Sequence, residues 1–558
     1  TKEELRAIEG DENEIKERFY MDLEFGTAGL RGIIGAGINR MNIYTVRRAT
    51  QGLANYIKKQ GGEEKGGAIA FDSRHMSTEF SEKAALCLNA NGIKTYRFET
   101  LRPTPELSFA LRELGCIAGI VVTASHNPPE YNGYKVYWED GAQITPPHDT
   151  GIMDEVRNVT DYASVKTMPL EKAKADGLYQ TIGADIDDPY IAELKKLVLH
   201  QDCIDKVASE LKIVYTPLHG TGNLPVRRVL KELGFTNVYV VPEQELPDGD
   251  FPTVSYPNPE AAEAFALGLA LGKKVDADLI LATDPDADRL GVYVKDAQTG
   301  EYHSLTGNMS GCLIGDYVIG QRKELFGLPE DGAFIRSIVS TNMADAIAAY
   351  YGIDLIEVLT GFKFIGQKIL EFEETGKGTY LFGMEESYGC LPGTYARDKD
   401  AVAASMMLCE AAAYYKTKNM TLWDAMLAMY ERYGYYKDDV TSITLKGIEG
   451  LAKIQEIMNT LRENAPAEIG GYKVTAVRDY KLDTITDTAA GAVRPTGLPK
   501  SNVLYYEMTD GAWVCVRPSG TEPKVKFYLG VKGTSLADAD AKSEALSKAV
   551  RALIDTMM

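Results

Sequence analysis

Gly119-Ile120-Val121-Val122-Thr123-Ala124-Ser125-His126-Asn127-Pro128-Pro129 begins as an apolar run and breaks abruptly into small polar residues and two prolines. The pattern predicts a buried strand ending in a tight loop, with Ser125 held at the strand's carboxyl end. In open α/β sheets that edge is where ligands and reactive groups gather. A serine there, beside His126, is a candidate nucleophile or phosphate carrier. A plain Ser/Asn/Pro turn ending a strand is the competing reading, and this fragment alone does not separate the two.

The flanking sequence supplies the fold class. Ala68–Phe71 reads as a strand ending in Asp72-Ser73-Arg74-His75. Ser77 then caps a helix, Thr95–Phe98 forms the next strand, and Thr104-Pro105 opens another helix. This is βαβαβ, the pattern of a mostly parallel sheet. The element order recurs. A second round runs from the strand Lys212–Thr216 through a strand at Val238–Val241 and a helix from Pro259 to Leu271, closing on the strand Asp278–Ala282. A third starts with a helix from Thr306 and continues through strands at Phe334–Val339, Leu355–Val358 and Tyr380–Phe382. Beyond Tyr433-Gly434 the alternation loosens, and a helix from Ser535 to Met557 ends the chain, which reads as a smaller α+β domain.

Length agrees, since 558 residues at about 150 per domain gives roughly four. A net charge of -20 argues against nucleic acid and anionic membranes, which demand basic patches. No stretch reaches the length of a transmembrane helix, and the charged start Thr1-Lys2-Glu3-Glu4 lacks a signal-peptide apolar segment. The 7 cysteines are scattered without a C-x-x-C pair, as in a cytoplasmic protein with reduced thiols.

Four further stretches carry chemistry. Glu24-Phe25-Gly26-Thr27-Ala28-Gly29-Leu30-Arg31-Gly32 sets Arg31 among glycines that let backbone approach a ligand closely. Asp284-Pro285-Asp286-Ala287-Asp288-Arg289 leaves a strand end with alternate carboxylates, a donor set suited to Mg²⁺ or Ca²⁺. An EF-hand is excluded, because Arg289 stands where its glycine belongs and Lys295 where its glutamate belongs. Met384-Glu385-Glu386-Ser387-Tyr388 lies at a strand end and could hydrogen-bond adjacent sugar hydroxyls. Thr360-Gly361 upstream forms a strand-to-helix turn, and Lys399 lies in a charged run downstream. Arg517-Pro518-Ser519-Gly520-Thr521 combines guanidinium, hydroxyls and glycine backbone into an anion cradle. A solvated acidic turn is the alternative for the aspartates, a plain turn for Arg517–Thr521, and a solvated helix start for the run around Lys399.

Together, Thr123-Ala124-Ser125-His126-Asn127-Pro128, Asp284-x-Asp286-x-Asp288-Arg289, Glu385-x-Ser387 and Arg517-Pro518-Ser519-Gly520-Thr521 fall one per inferred domain. In that order they resemble the α-D-phosphohexomutases, the phosphoglucomutase/phosphomannomutase superfamily. The extended Glu24–Gly32 stretch is most similar to the bacterial phosphoglucomutase branch that also holds phosphopentomutases and glucose-1,6-bisphosphate synthases.

The resemblance implies four domains around a central cleft: three topologically similar mixed-sheet α/β domains (1–185 with the phosphoserine loop, 186–304 with the metal loop, 305–434 with the sugar loop) and a smaller C-terminal α+β domain (435–558, the phosphate loop). It implies interconversion of glucose 1-phosphate and glucose 6-phosphate through phosphoserine and glucose 1,6-bisphosphate. Phosphopentomutase, phosphomannomutase or bisphosphate synthase activity on the same scaffold is the alternative.

Under the same resemblance Ser125 is carried as phosphoserine and, with Asp284, Asp286 and Asp288, binds Mg²⁺. Arg31, His126 and Lys399 would serve the transferring phosphate, with Lys399 the candidate general acid/base. Arg289, Thr360, Gly361, Glu385, Ser387 and Lys399 would bind substrate, and Arg517, Ser519, Gly520 and Thr521 the non-reacting phosphate. The expected partner is a phosphosugar, with no nucleic acid or membrane, and the state is monomer or dimer. Met384 stands where better-known members have glycine, and Tyr388 follows the serine, so hexose against pentose preference stays open.

Overall fold

The computed structural model describes residues 1–25, 29–445, 447–519 and 524–558, the side chains of 447–449 excepted. Packing divides the chain into two compact units, 1–333 with 361–424, and 334–360 with 425–558.

The first unit opens with six strands: β1 (Gly29–Ile33), β2 (Gly67–Phe71), β3 (Thr95–Phe98), β4 (Ala118–Val122), β5 (Tyr131–Trp138) and β6 (Tyr179–Ile182). They form one sheet in the order β1-β5-β4-β2-β3-β6. β2 is parallel to β3 and β4, whereas β5 returns antiparallel to β4. Every residue of β2 and β4 is buried, which explains their unbroken apolar runs: helices cover both faces, so nothing alternates. The core against this sheet includes Leu53, Ile57, Ile69, Phe80, Ile120 and Val122.

A second sheet repeats the plan with β7 (Ile213–Thr216), β8 (Val238–Val240), β9 (Leu279–Thr283), β10 (Leu290–Lys295) and β11 (Tyr302–Leu305), in the order β11-β10-β9-β7-β8. Again the first strand of the round, β7, is parallel to its two neighbours, and the strand after β9 returns antiparallel.

From the next round the second unit takes β12 (Gly332–Ser337, from Phe334 on), the helix Met343–Tyr351 and β13 (Asp354–Val358). The first unit takes the antiparallel pair β14 (Thr379–Glu385) and β15 (Gly389–Leu391). The rest of the second unit is a mainly antiparallel sheet of β16 (Tyr435–Thr444), β17 (Glu468–Ile469), β18 (Tyr472–Asp479), β19 (Thr484–Asp487), β20 (Val493–Arg494), β21 (Leu504–Met508), β22 (Trp513–Pro518) and β23 (Lys524–Gly533). The helix Leu536–Asp555 contributes Leu546 and Val550 to a core with Phe527 and Leu529 of β23.

Within this second unit Arg336, only 2% exposed, pairs with Asp345 at 2.8 Å and Glu357 at 3.0 Å. Glu357 in turn meets Arg478 at 2.8 Å, and Arg478 meets Glu507 at 2.5 Å. These side chains line a cavity of about 480 Å³ with Tyr505 and Trp513, whose rings stack at 5.3 Å.

Two local readings change. Ser77 is the first residue of its helix rather than the cap. Met76 caps it in a left-handed conformation (φ 65), and the Ser77 hydroxyl donates instead to Asp72 Oδ1 at 2.7 Å. The helix expected from Pro259 begins only at Ala262 as a 3₁₀ turn and continues as α-helix over Ala266–Val275, because Asn258 Oδ1 draws the Glu260 amide into a local turn. The cysteines are free and all buried, and no described helix is long and apolar enough to cross a membrane.

One glycine of the first sheet is required by close approach. A Cβ on Gly133, opposite Arg31 in β1, would stand 2.4 Å from the Thr123 carbonyl oxygen. Neither wall is a flexible side chain, so Gly133→Ala should destabilise by about 1–3 kcal/mol, read as a lowered thermal midpoint.

Candidate functional site

Ser125 follows β4, Asp284 to Asp288 follow β9, and Glu386 to Tyr388 follow β14. In each case the loop joins a strand to the next, antiparallel strand of its sheet, so the three loops occupy the same topological position in successive rounds of the fold. Each contains a non-glycine residue in the left-handed region: Ser125 at φ 51, Ala287 at φ 51 and Tyr388 at φ 66. Such backbone costs on the order of 1 kcal/mol or more per residue and persists only where surrounding contacts impose it. Those contacts join the loops. Thr104 N donates to the Asp286 carbonyl at 2.9 Å, Leu290 N to the Tyr388 carbonyl at 3.0 Å, and Ala401 N to the Ala287 carbonyl at 3.1 Å.

The serine itself is anchored from below. Its amide donates to Thr123 Oγ1 at 2.8 Å, and that hydroxyl donates to Asp72 Oδ2 at 2.6 Å. Arg74 donates to the Ser125 carbonyl at 2.6 Å, to the Pro128 carbonyl at 2.8 Å, to the Tyr131 carbonyl at 3.1 Å and to that of Asn127. Burial pulls the Arg74 guanidinium down to about 10 against the pull of Asp72, so it remains cationic at neutral pH. Ser125 Oγ donates to Asp284 Oδ2 at 2.7 Å and lies 3.1 Å from His126 Nδ1. Arg31 reaches the same loop through Asn127 Oδ1 at 3.0 Å.

Asp284, Asp286 and Asp288 are at most 1% exposed, with one carboxylate oxygen of each within 4.8 Å of the others. Burial, then repulsion from Asp286 and Asp288, pushes Asp284 well above the usual carboxylate range. Burial also opposes ionisation of Asp288, but Lys399 and Lys135 outweigh it and hold that carboxyl far below its ordinary value. Lys135 Nζ lies 2.7 Å from Asp286 Oδ2 and 3.3 Å from Asp288 Oδ2; Lys399 Nζ lies 2.8 Å from Asp288 Oδ2. The two lysines engage only one oxygen of each residue, and Asp286 Oδ1 and Asp288 Oδ1 are buried without a hydrogen-bond partner. Orphaned anionic oxygens beside Ser125 Oγ form an all-oxygen donor set that fits a hard divalent cation.

The remaining site residues divide by unit. Arg289 pairs with Glu260 at 2.8 Å, and with it and Arg31 nearby, after the effect of burial, His126 is held well below its ordinary pKa. Gly361 N donates to Glu385 Oε1 at 2.8 Å, and burial raises Glu385 to about 7 although Lys399 opposes it. Burial would depress Lys399, yet Asp288, Asp398 and Glu385 raise it above the usual lysine value. Ser387 is half-buried in its turn. Arg31, Ser125, His126, Asp284, Asp286, Asp288, Arg289, Gly361, Glu385, Ser387 and Lys399 thus all belong to the first unit. Thr360, whose buried Oγ1 has no hydrogen-bond partner, and Arg517 and Ser519 at the end of β22 belong to the second. Gly520 and Thr521 lie outside the described residues, as do Gly26, Thr27 and Ala28.

Sequence reading missed Asp72, Arg74, Thr104 and Lys135. Two signals for them exist. Asp72 and Arg74 end the strand beside β4, and Lys135 is a lone cation in the apolar run Tyr134 to Trp138.

Known proteins resemble this chain throughout. The phosphoglucomutase/phosphomannomutase alpha/beta/alpha domains I, II and III match residues 22–163, 188–300 and 306–433, and that family's C-terminal domain matches 463–546. Phosphoglucomutase of Staphylococcus aureus strain MRSA252 is 37% identical over 533 residues, spanning 96% of this chain and 94% of the relative. That of Staphylococcus epidermidis strain RP62A is 37% identical over 519 residues, spanning 93% and 92%. Among solved structures, the open form of pp63/parafusin, a phosphoglucomutase from Paramecium, superposes with a TM-score of 0.70 at 19% identity, covering 96% of this chain and 95% of its own. A phosphoglucomutase/phosphomannomutase family protein from Burkholderia thailandensis gives 0.65 at 21% identity, covering 95% and 97%. At those identities the two structures share the fold.

Proposed function

The chain belongs to the phosphoglucomutase/phosphomannomutase family and its function is that of a phosphoglucomutase, and from that premise we propose that Ser125 Oγ carries the transferred phosphoryl group. The observation that carries this reading is the Ser125 hydroxyl, fixed on left-handed backbone 2.7 Å from a buried carboxylate whose neighbours hold unpartnered oxygens.

Phosphoserine brings about -1.5 to -2 charges into a buried site. Arg31, Arg289, Lys135 and Lys399 are the cations this chain supplies around it. Asp284, Asp286 and Asp288 would hold Mg²⁺, which when bound offsets phosphoryl charge as a Lewis acid. The phosphoryl group passes from Ser125 Oγ to the free 6-hydroxyl of glucose 1-phosphate. The Oγ–P bond breaks, the new O–P bond forms, and the proton of the sugar hydroxyl ends on Ser125 Oγ. Catalysis here is chiefly positioning and electrostatic stabilisation of a loose transition state. Glucose 1,6-bisphosphate then presents its other phosphate to the serine. In this reading Glu385 and Ser387 hold sugar hydroxyls in both orientations, Thr360 and Gly361 also bind substrate, and Arg517, Ser519, Gly520 and Thr521 hold the idle phosphate. Lys399, paired with Asp288 at 2.8 Å, stabilises phosphoryl charge and is the candidate general acid/base for the proton that moves between the sugar hydroxyl and Ser125 Oγ. The four domains, divided near 185, 304 and 434, would carry one loop each. A structural neighbour, an N-acetylglucosamine-phosphate mutase, has been solved in its substrate complex, in keeping with a phosphosugar ligand here.

A coupled assay with glucose, mannose and ribose 1-phosphates, run with Mg²⁺ and catalytic glucose 1,6-bisphosphate, tests the reading. Glucose 1-phosphate is expected to be preferred and chelation of divalent ions to remove activity. Equal turnover of ribose 1-phosphate would overturn the hexose assignment.

Glu385 adds a pH signature. With a value near 7 it is neutral in mild acid and ionised in mild base, and only the ionised form is a pure acceptor for sugar hydroxyls. KM for glucose 1-phosphate should therefore fall as pH rises through neutrality. Glu385→Gln should raise KM and flatten that dependence, measured as KM against pH from 6 to about 8.5.

A further inference from the structure

Away from the aspartate loop, one other set of metal-ligating side chains converges among the described residues: His200, Asp202 and Cys203, with one donor atom of each within 4.8 Å of the others. The donors differ in kind. His200 Nδ1 lies 3.6 Å from Asp202 Oδ1, and Cys203 Sγ lies 3.9 Å from Asp202 Oδ2. A tetrahedral zinc centre spaces its ligand atoms roughly 3.3–3.8 Å apart, given metal–ligand bonds of about 2.0–2.3 Å.

The imidazole is also oriented for the task. His200 Nε2 lies 2.8 Å from Gln321 Oε1, an oxygen that can only accept, so Nε2 carries the hydrogen. The ring is held against Tyr414, with centroids 4.9 Å apart. His200 Nδ1 then faces the Asp202 carboxylate, the direction from which a cation between them would be bound by both. A remote N–H donated to a carbonyl is the orienting contact that metal-ligating histidines use. Cys203 is 7% exposed, with Thr417 Oγ1 4.0 Å from its sulfur, while Asp202 is open to solvent and shares Oδ2 with Lys206 at 3.0 Å.

We propose that His200, Asp202 and Cys203 form a second metal site, for a borderline-soft divalent cation of the Zn²⁺ class, separate from the aspartate loop. Nitrogen and sulfur donors disfavour Mg²⁺, so the two sites sort their ions by chemistry. Binding forms a metal–sulfur bond and releases the Cys203 thiol proton to solvent. Gln321 belongs to the helix Gly307–Phe326 and Tyr414 to the helix Ala401–Lys416, so an ion here staples the segment leading into the helix Gln201–Val207 to both.

Titrating the full chain with Co²⁺ tests this. A thiolate-to-cobalt charge-transfer band is expected, saturating at one equivalent and displaced by Zn²⁺ but not by Mg²⁺. The aspartate loop has no sulfur and cannot give that band. Cys203→Ser should abolish it while leaving glucose 1-phosphate turnover unchanged, and His200→Ala should weaken binding by about tenfold or more. With the aspartate loop held by excess Mg²⁺, Zn²⁺ should raise the melting temperature of the wild-type chain more than that of Cys203→Ser. Should Cys203→Ser fail to fold, Asp202→Asn at the exposed position should weaken the Co²⁺ band instead. No band in the wild-type chain, or an unchanged band in Cys203→Ser or in Asp202→Asn, would overturn the assignment.

Discussion

Ser125→Ala is expected to lower turnover of glucose 1-phosphate by at least about a thousandfold, since loss of a covalent nucleophile removes the pathway rather than tuning it. The substitution deletes one oxygen that donates to Asp284 at 2.7 Å, and the backbone cradle built by Thr123 and Arg74 does not depend on it. Folding should therefore survive, and the variant should melt within a few degrees of the parent. Alanine at φ 51 costs no more than serine did, because both carry a Cβ. A coupled assay supplied with glucose 1,6-bisphosphate gives the rate, and intact mass gives the second reading: incubation with the bisphosphate should add one phosphate to the parent chain and none to the variant. Near-full activity in Ser125→Ala would sink the phosphoserine route.

The largest structural effect is expected at Arg74. Its guanidinium serves the carbonyls of Ser125, Asn127, Pro128 and Tyr131 and lies 3.4 Å from Asp72. Arg74→Ala leaves Asp72 ionised or newly protonated in a buried pocket and strands several carbonyls at once. Breaking one side of a buried ion pair costs about 3–5 kcal/mol, and this one also releases the serine loop from its left-handed backbone. A lowered midpoint in urea and a kcat reduced far more than KM is raised are the expected readings. Arg74→Lys should recover part of the stability but little of kcat, because an ammonium cannot span the planar set of carbonyls. A kcat equal to that of the parent in Arg74→Ala would show that loop geometry does not limit the reaction.

Legibility of the sequence followed burial and local punctuation. β2 and β4 were readable because parallel strands buried on both faces are continuous apolar runs, and Thr104-Pro105 was readable because proline opens a helix. β5 went unread although it is the longest strand of its sheet, since Asn132, Gly133 and Lys135 interrupt its pattern. Those interruptions have causes the linear chain cannot display: Gly133 admits a neighbouring carbonyl, and Lys135 answers Asp286 and Asp288, some 150 residues later. Motif residues such as Ser125 and Asp284 declared themselves by type and spacing. Arg74 and Asp72 did not, because their work is done through backbone carbonyls and a threonine hydroxyl rather than on a ligand.

The ion-pair chain Asp345–Arg336–Glu357–Arg478–Glu507 bears on what can be cut out of this protein. Arg336 and Glu357 come from the stretch 334–360, while Arg478 and Glu507 come from the C-terminal sheet. A recombinant fragment starting at Tyr435, where the repeat pattern invites the scissors, would keep Arg478 and Glu507 but forfeit the carboxylate between the two arginines and uncover the 480 Å³ cavity they line. Modularity in the order of elements is therefore not modularity of folding. The segment that behaves as an independent piece in a shuffled or truncated gene is one that this chain has to assemble from two separate stretches.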